Sequence, residues 1–250
     1  MDRKLKVAME LARQAGAIIK DNFGKNHAVE LKADASPVTE IDKKINQLVA
    51  QTLKAQFPED GLLGEEESYG SGNETYQWVC DPLDGTKPFI LGLPCSVFML
   101  GLSQNGKILL SVVYDPYTDK MYHAIRGEGA FCNGEPISVS DKNIKEGYAL
   151  VGADSFVFAR ELQKRALGVE PVPGTGYKCL MIATGRGLGM INDSADFHDI
   201  GPGALIVEEA GGRVTGFRGE TLSFDKEIDS VIMSNGVVHD EFIAIANGNR

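Results

Sequence analysis

The stretch Trp78-Val79-Cys80-Asp81-Pro82-Leu83-Asp84-Gly85-Thr86-Lys87-Pro88-Phe89 constrains this chain more than any other. The apolar run 78–80 reads as a buried strand that ends on Asp81, with a turn following at once. Asp81 and Asp84 then stand three residues apart on a tight, Pro-containing turn. Gly85 and Thr86 come next, where a helix start leaves N–H groups without intrahelical partners. Carboxylate oxygens collect a hard divalent cation such as Mg2+. N–H groups at a helix start collect a phosphate. Side by side, they point to metal-assisted chemistry on a phosphate ester. The same residues also spell a surface turn, because Pro presets φ and Asp and Gly suit turn positions. Two further acidic stretches bear on that choice. Gly64-Glu65-Glu66-Glu67 follows the apolar pair Leu62-Leu63, and Asp199 precedes an apolar helical pattern that runs into Glu209-Ala210-Gly211-Gly212.

A net charge of -10, with no dominant Lys/Arg run, argues against nucleic-acid or anionic-membrane partners. It also means that a phosphate ester is repelled unless cations or local N–H groups reverse the field, as bound metal would. The cysteines Cys80, Cys95, Cys132 and Cys179 have no close-pair spacing. They fit buried thiols in a reducing cytoplasm better than a zinc site or a disulfide framework. Met1-Asp2-Arg3-Lys4 enters an amphipathic pattern, unlike a signal peptide. No run approaches the ~18 apolar residues of a membrane span.

Apolar residues at three- and four-residue spacing predict helices over 4–23 and 38–57. Between them, 29–32 reads as a short strand, and Ala33-Asp34-Ala35-Ser36-Pro37 as a mobile loop. Asp42 falls in the first turns of the second helix, where the dipole favours an acid. The runs 95–102, 107–114 and 120–125 predict an antiparallel meander, with Gln104-Asn105-Gly106 as a hairpin turn. A second half begins near Ser140. It has strands at 149–152, 190–191, 214–215 and 230–233, and helices at 157–166, 177–184, 199–210 and 239–246. Gly185, Gly187 and Gly189 have the spacing of a nucleotide loop, but the preceding segment is helical, so a nucleotide-binding oxidoreductase is not supported.

Three motifs occur in order: Gly-Glu-Glu at 64–66, Asp-Pro-Leu-Asp-Gly-Thr at 81–86, and Asp199 with Glu-Ala-Gly-Gly at 209–212. With them the chain resembles the inositol monophosphatase family of magnesium-dependent, lithium-sensitive phosphatases. The resemblance implies an α/β layered sandwich of the sugar-phosphatase type. Residues 1–139 would form a helix-and-antiparallel-sheet subdomain, and residues 140–250 a smaller mixed-sheet subdomain carrying Asp199. It implies hydrolysis of a small phosphorylated metabolite, inositol 1-phosphate among others, by a metal-activated water. Two or three Mg2+ ions would be held by Glu65, Asp81, the Leu83 carbonyl, Asp84 and Asp199, with Asp81 bridging. Gly85 and Thr86 would cradle the phosphate, and Thr86, with Glu65 and Asp42, would position the water. Val38-Thr39-Glu40-Ile41-Asp42 matches a further family motif, whose Asp pairs with the central threonine. A cytoplasmic homodimer is also implied.

The chain departs from the family pattern in places. His198 stands where the family usually has Trp, and either touches the substrate or merely packs. Asn192 replaces a Glu that holds a substrate hydroxyl in inositol-specific members, so inositol 1-phosphate is expected to be hydrolysed without unique preference. Lys87, after Thr86, is similar to relatives acting on histidinol phosphate or 3′,5′-bisphosphate nucleotides, and Lys178, after Gly174-Thr175-Gly176, is similar to the nucleotide branch. Both lysines also read as ordinary surface charges. Gly174, Thr175, Lys178, Asn192 and His198 are therefore the candidate substrate contacts. A non-catalytic metal- or effector-binding protein with this fold is the alternative from another class.

Overall fold

The structure, a computed structural model, describes residues 1–32, 36–72, 74–152, 155–193, 196–224 and 228–248. The loop expected at Ala33-Asp34-Ala35 lies outside the described residues.

Two helices lead, α1 (Asp2–Asn22) and α2 (Glu40–Gln56), joined through a two-stranded ribbon of β1 (Val29–Leu31) and β2 (Pro37–Thr39). Helix α2 begins two residues later than the apolar spacing implied. Thr39 caps it with its hydroxyl, and the Asp42 side chain reaches back to the Thr39 N–H. Next come β3 (Gly61–Gly64), β4 (Gln77–Asp84), the short helix α3 (Thr86–Ile90), β5 (Val97–Gln104), β6 (Lys107–Asp115), β7 (Lys120–Ile125), β8 (Gly129–Cys132) and β9 (Glu135–Pro136). The strands make a seven-stranded sheet in chain order. It is antiparallel as expected from β4 onward, but β3 pairs with β4 in parallel. The second half contributes β10 (Tyr148–Val151), α4 (Phe156–Gln163), β11 (Gly168–Pro171), α5 (Thr175–Ala183), β12 (Gly189–Asn192), α6 (Phe197–Glu209), β13 (Arg213–Thr215), β14 (Val231–Ser234) and α7 (His239–Gly248). Its five strands run in the order β11-β10-β12-β14-β13, with both parallel and antiparallel pairs. Sequence reading missed β11, whose Gly-Val-Glu-Pro offers only one apolar side chain of strand character.

These elements stack in layers. Helices α1 and α2 cover one face of the large sheet through a core that includes Ile19, Ile45 and Trp78. Helices α5 and α6 lie between the two sheets, in a core that joins Met99 and Val113 of one sheet to Met190 and Met233 of the other. Helices α4 and α7 cover the outer face of the small sheet around Phe158, Phe217 and Phe242. Glycine makes the middle layer thin. A Cβ on Gly203 would lie 2.6 Å from Cys179 Sγ, so α5 and α6 approach closely. Gly189 serves packing in the same way, with a Cβ falling 2.5 Å from the Met233 carbonyl.

The segment at Asp81-Pro82-Leu83-Asp84 corrects the sequence reading. The strand does not end at Asp81 but runs on to Asp84 through a β-bulge. Asp81 faces Met99 and Asp84 faces Val97, so three steps along β4 match two along β5. Without the extra residue, side chains three apart would point to opposite faces. The bulge puts both carboxylates on the α5/α6 face and turns Leu83 into the α1/α2 core.

Candidate active site

Glu65 follows β3, and its N–H continues the ladder to the Cys80 carbonyl at 3.1 Å. This sets it beside Asp81. Asp81 Oδ1 accepts from the Leu83 N–H at 2.9 Å. Burial first, then the charges of Glu65, Asp199 and Asp84, push the Asp81 carboxyl well above the ordinary range. Asp199 sits in the first turn of α6. Its carboxyl is likewise pushed well up by burial, then by Asp84 and Glu65, and is eased by a hydrogen bond with Asp81.

Asp84 spans the layers. Its Oδ1 accepts from the Thr175 N–H at 2.8 Å and its Oδ2 from the Gly176 N–H at 3.0 Å, at the start of α5. Burial raises its pKa to about 6, although those N–H groups and the Lys178 charge oppose the rise. The Gly-Thr-Gly at 174–176 has a physical reason here. Gly174 adopts φ +78°, and a Cβ there would come within 2.7 Å of Asp84 Oδ2. Among the sequence-predicted contacts, then, Thr175 has its N–H committed to Asp84.

Thr86 opens α3 after Gly85, which is left-handed at φ +87°. The Thr86 hydroxyl lies 3.0 Å from Asp42 Oδ1 and 3.2 Å from the Leu83 carbonyl. Asp42 Oδ2 accepts from the Thr39 N–H at 2.9 Å and its hydroxyl at 2.6 Å. Both readings of Asp42 thus hold at once: it caps α2 and it holds Thr86. Burial raises the Asp42 carboxyl, against these hydrogen bonds.

A cleft of about 420 Å3 opens beside these groups; Thr86 lines it and Asp42, behind Thr86, does not. Glu65, Asp81, Leu83, Asp84 and Asp199 line it, as do Gly85, Thr86 and Lys87. Gly174, Thr175, Lys178 and Asn192 also reach it. Lys178 is 3% exposed, so it is not the surface charge that composition allows. His198 is not among the lining residues. Its Nε2 lies 3.4 Å from Asp199 Oδ1, and burial lowers its pKa despite the charges of Glu65 and Asp196.

Three groups escaped the sequence reading. Lys32 bridges Glu65 and Glu66 with its ammonium 2.5 Å from each. Burial pulls its pKa down, but the two carboxylates together outweigh this and raise it; burial in turn raises Glu66. Asp196, at the N-cap of α6, joins His198 and Asp199 in a cluster whose ligand atoms lie within 4.8 Å of one another. An acid three residues before a predicted ligand at a helix start was the available signal. Phe156 and the stretch Pro171-Val172-Pro173 also line the cleft, with no motif to announce them.

The donor set fits a hard cation. Buried carboxylates that raise one another's pKa are costly to ionise together, and positive charge among them removes that cost. The chain is 34% identical to the histidinol-phosphatase of Chlorobaculum parvum, over 100% of this chain and 99% of that protein. It is 32% identical to the fructose-1,6-bisphosphatase/inositol-1-monophosphatase of Thermotoga maritima, over 99% and 96%. The solved structure of a Thermotoga maritima IMPase superposes with a TM-score of 0.92 at 30% identity, covering 100% of this chain and 98% of that one. Fold, cleft and relatives together define the class: a phosphatase, a phosphoric monoester hydrolase acting on a small phosphorylated substrate. Within it, residues 1–249 match the inositol monophosphatase family, and the chain belongs to that family. Metal dependence is typical of its members. No helix among the described residues is long and apolar enough to cross a membrane.

Proposed function

We propose that this chain hydrolyses small phosphate monoesters with Mg2+, taking inositol 1-phosphate without unique preference. The convergence of Glu65, Asp81, Asp84 and Asp199 beside the Thr86–Asp42 pair carries this reading. Those four carboxylates and the Leu83 carbonyl would hold the ions. Mg2+, when bound, would neutralise the phosphate charge and supply Lewis acidity. The N–H groups of Gly85 and Thr86 would orient the phosphate. Thr86 would accept a hydrogen bond from the attacking water, since its own proton points to Asp42. Glu65 would receive the water's proton as its oxygen bonds to phosphorus and the P–O bond to the alkoxide breaks in line, the alkoxide taking a proton from solvent water, while Asp42 would hold Thr86 in place. The alcohol would leave towards Lys178 and Asn192.

Histidinol phosphate is the second reading, favoured by the 34% identical histidinol-phosphatase and by Asn192 lining the cleft where inositol-specific members carry an acid. The protein would act as a homodimer in the cytoplasm, consistent with four free cysteines. Its sensitivity to Li+ would arise from competition for an Mg2+ position. The test is phosphate release from inositol 1-phosphate, histidinol phosphate and adenosine 3′,5′-bisphosphate, with Mg2+, with EDTA, and with Mg2+ plus Li+. Turnover should require Mg2+ and fall with Li+. Full activity in EDTA contradicts the cation reading, and no turnover of any ester favours a binding protein on a phosphatase fold.

A further inference from the structure

The small sheet reverses its winding at β10. From β10 the chain crosses through α4 to β11 on one side, and after β11 it crosses through α5 to β12 on the other. The three strands are parallel, and α4 and α5 pack on opposite faces. Such a reversal opens a crevice beyond the carboxyl ends of the strands, the place where open α/β sheets bind ligands. Here the ends are Val151, Pro171 and Asn192, and all three line the cleft that the carboxylates line.

The chemistry of that crevice is uneven. Phe156, the first residue of α4, is 58% exposed and lines it, while Phe158 and Leu162 of the same helix are buried in the outer core. Pro171 and Pro173 have no N–H, and the Val172 N–H is spent on the Val151 carbonyl at 2.9 Å. The wall therefore offers no backbone donor to a ligand between 171 and 173. A polyol pressed against it loses water bonds that this wall does not replace. A flat ring loses little and gains a stacking face. Ser155, the residue before Phe156, is held in place. Ser155 Oγ accepts from the Gly152 N–H at 2.8 Å, and the Lys178 ammonium lies so close that a Cβ on Gly152 would be 2.7 Å from it.

We infer that Phe156 is a specificity-determining residue for the alcohol, stacking a heteroaromatic ring that the alcohol carries. This rests on the phosphatase reading above. The test measures kcat/KM with Mg2+ for histidinol phosphate, adenosine 3′-monophosphate and inositol 1-phosphate in the wild type, Phe156→Ala and Phe156→Trp. The ratio of ring-bearing ester to inositol ester should fall about tenfold in Phe156→Ala, mainly through KM, as expected for the loss of one stacking contact. Phe156→Trp should keep the ratio. A fall for only one ring-bearing ester identifies that ring, imidazole or purine, as the one stacked. An unchanged ratio in Phe156→Ala, with all esters still turned over, overturns this assignment alone. No turnover of any ester by the wild type overturns the phosphatase reading, and this assignment with it.

Discussion

Asp84 commits both carboxylate oxygens to the N–H groups that start α5 while facing the same cleft as Asp81 and Asp199. It therefore ties the metal-ligand face of the large sheet to the helix layer beneath it. Asn at this position offers one acceptor oxygen where Asp offers two and carries no charge. Asp84→Asn should fold, yet leave one of those two α5 N–H groups without an acceptor, at about 1–3 kcal/mol. The melting temperature should drop by several degrees, and misplacement of the site should cut kcat/KM about 100-fold. Circular dichroism and steady-state kinetics check both, and near-normal turnover would return Asp84 to the status of a turn residue. At this scale the sequence showed the acids and Thr86, because their spacing is local. It could not show Lys32 against Glu65 and Glu66, or Phe156 in the cleft, because those neighbours lie far apart along the chain.

At the scale of elements, the site depends on two places where β3 and β4 meet other segments closely. The bulge in β4 was illegible: Asp-Pro-Leu-Asp-Gly carries turn residues, and only pairing with β5 on both sides keeps it in the sheet. The glycine of Gly64-Glu65-Glu66 has an equally tertiary cause. A Cβ on Gly64 would lie 2.4 Å from both Asn46 Oδ1 and the Glu67 carbonyl. Asn46 in turn donates to that carbonyl at 3.1 Å, so neither atom moves freely. Gly64→Ala should cost about 1–3 kcal/mol through overpacking and displace the turn carrying Glu65. A thermal melt should show the loss, and the Mg2+ concentration for half-maximal activity should rise severalfold. An unchanged melt would mean that the turn is looser than its contacts imply.

At the scale of the molecule, the six longer helices of the described residues were readable from periodicity, whereas the five-residue α3 was too short to show one. The layering was not readable, because the apolar faces of α5 and α6 serve two sheets at once. That layering buries Asp81 and Asp84 and crowds them against Asp199 and Glu65. The sign of the pH effect follows. An acid whose folded pKa is raised binds its proton more tightly when folded, so its stabilising effect is present at low pH and lost as pH rises. For Asp84 the loss runs from its ordinary 3.8 through about 6, and Asp81 and Asp199 act in the same direction. A bound cation should replace those protons, stabilising the fold above that window and not below it.

The most direct test is the melting temperature of the intact protein with EDTA and with Mg2+, at pH of about 4 and about 8, either side of the Asp84 value. At pH about 8, Mg2+ at ~100 times its Kd should add about 2.7 kcal/mol, or roughly 5–10 °C. At pH about 4 it should add almost nothing. An Mg2+ shift of equal size at both pH values, or none at pH about 8, would contradict a cation site built from these four carboxylates.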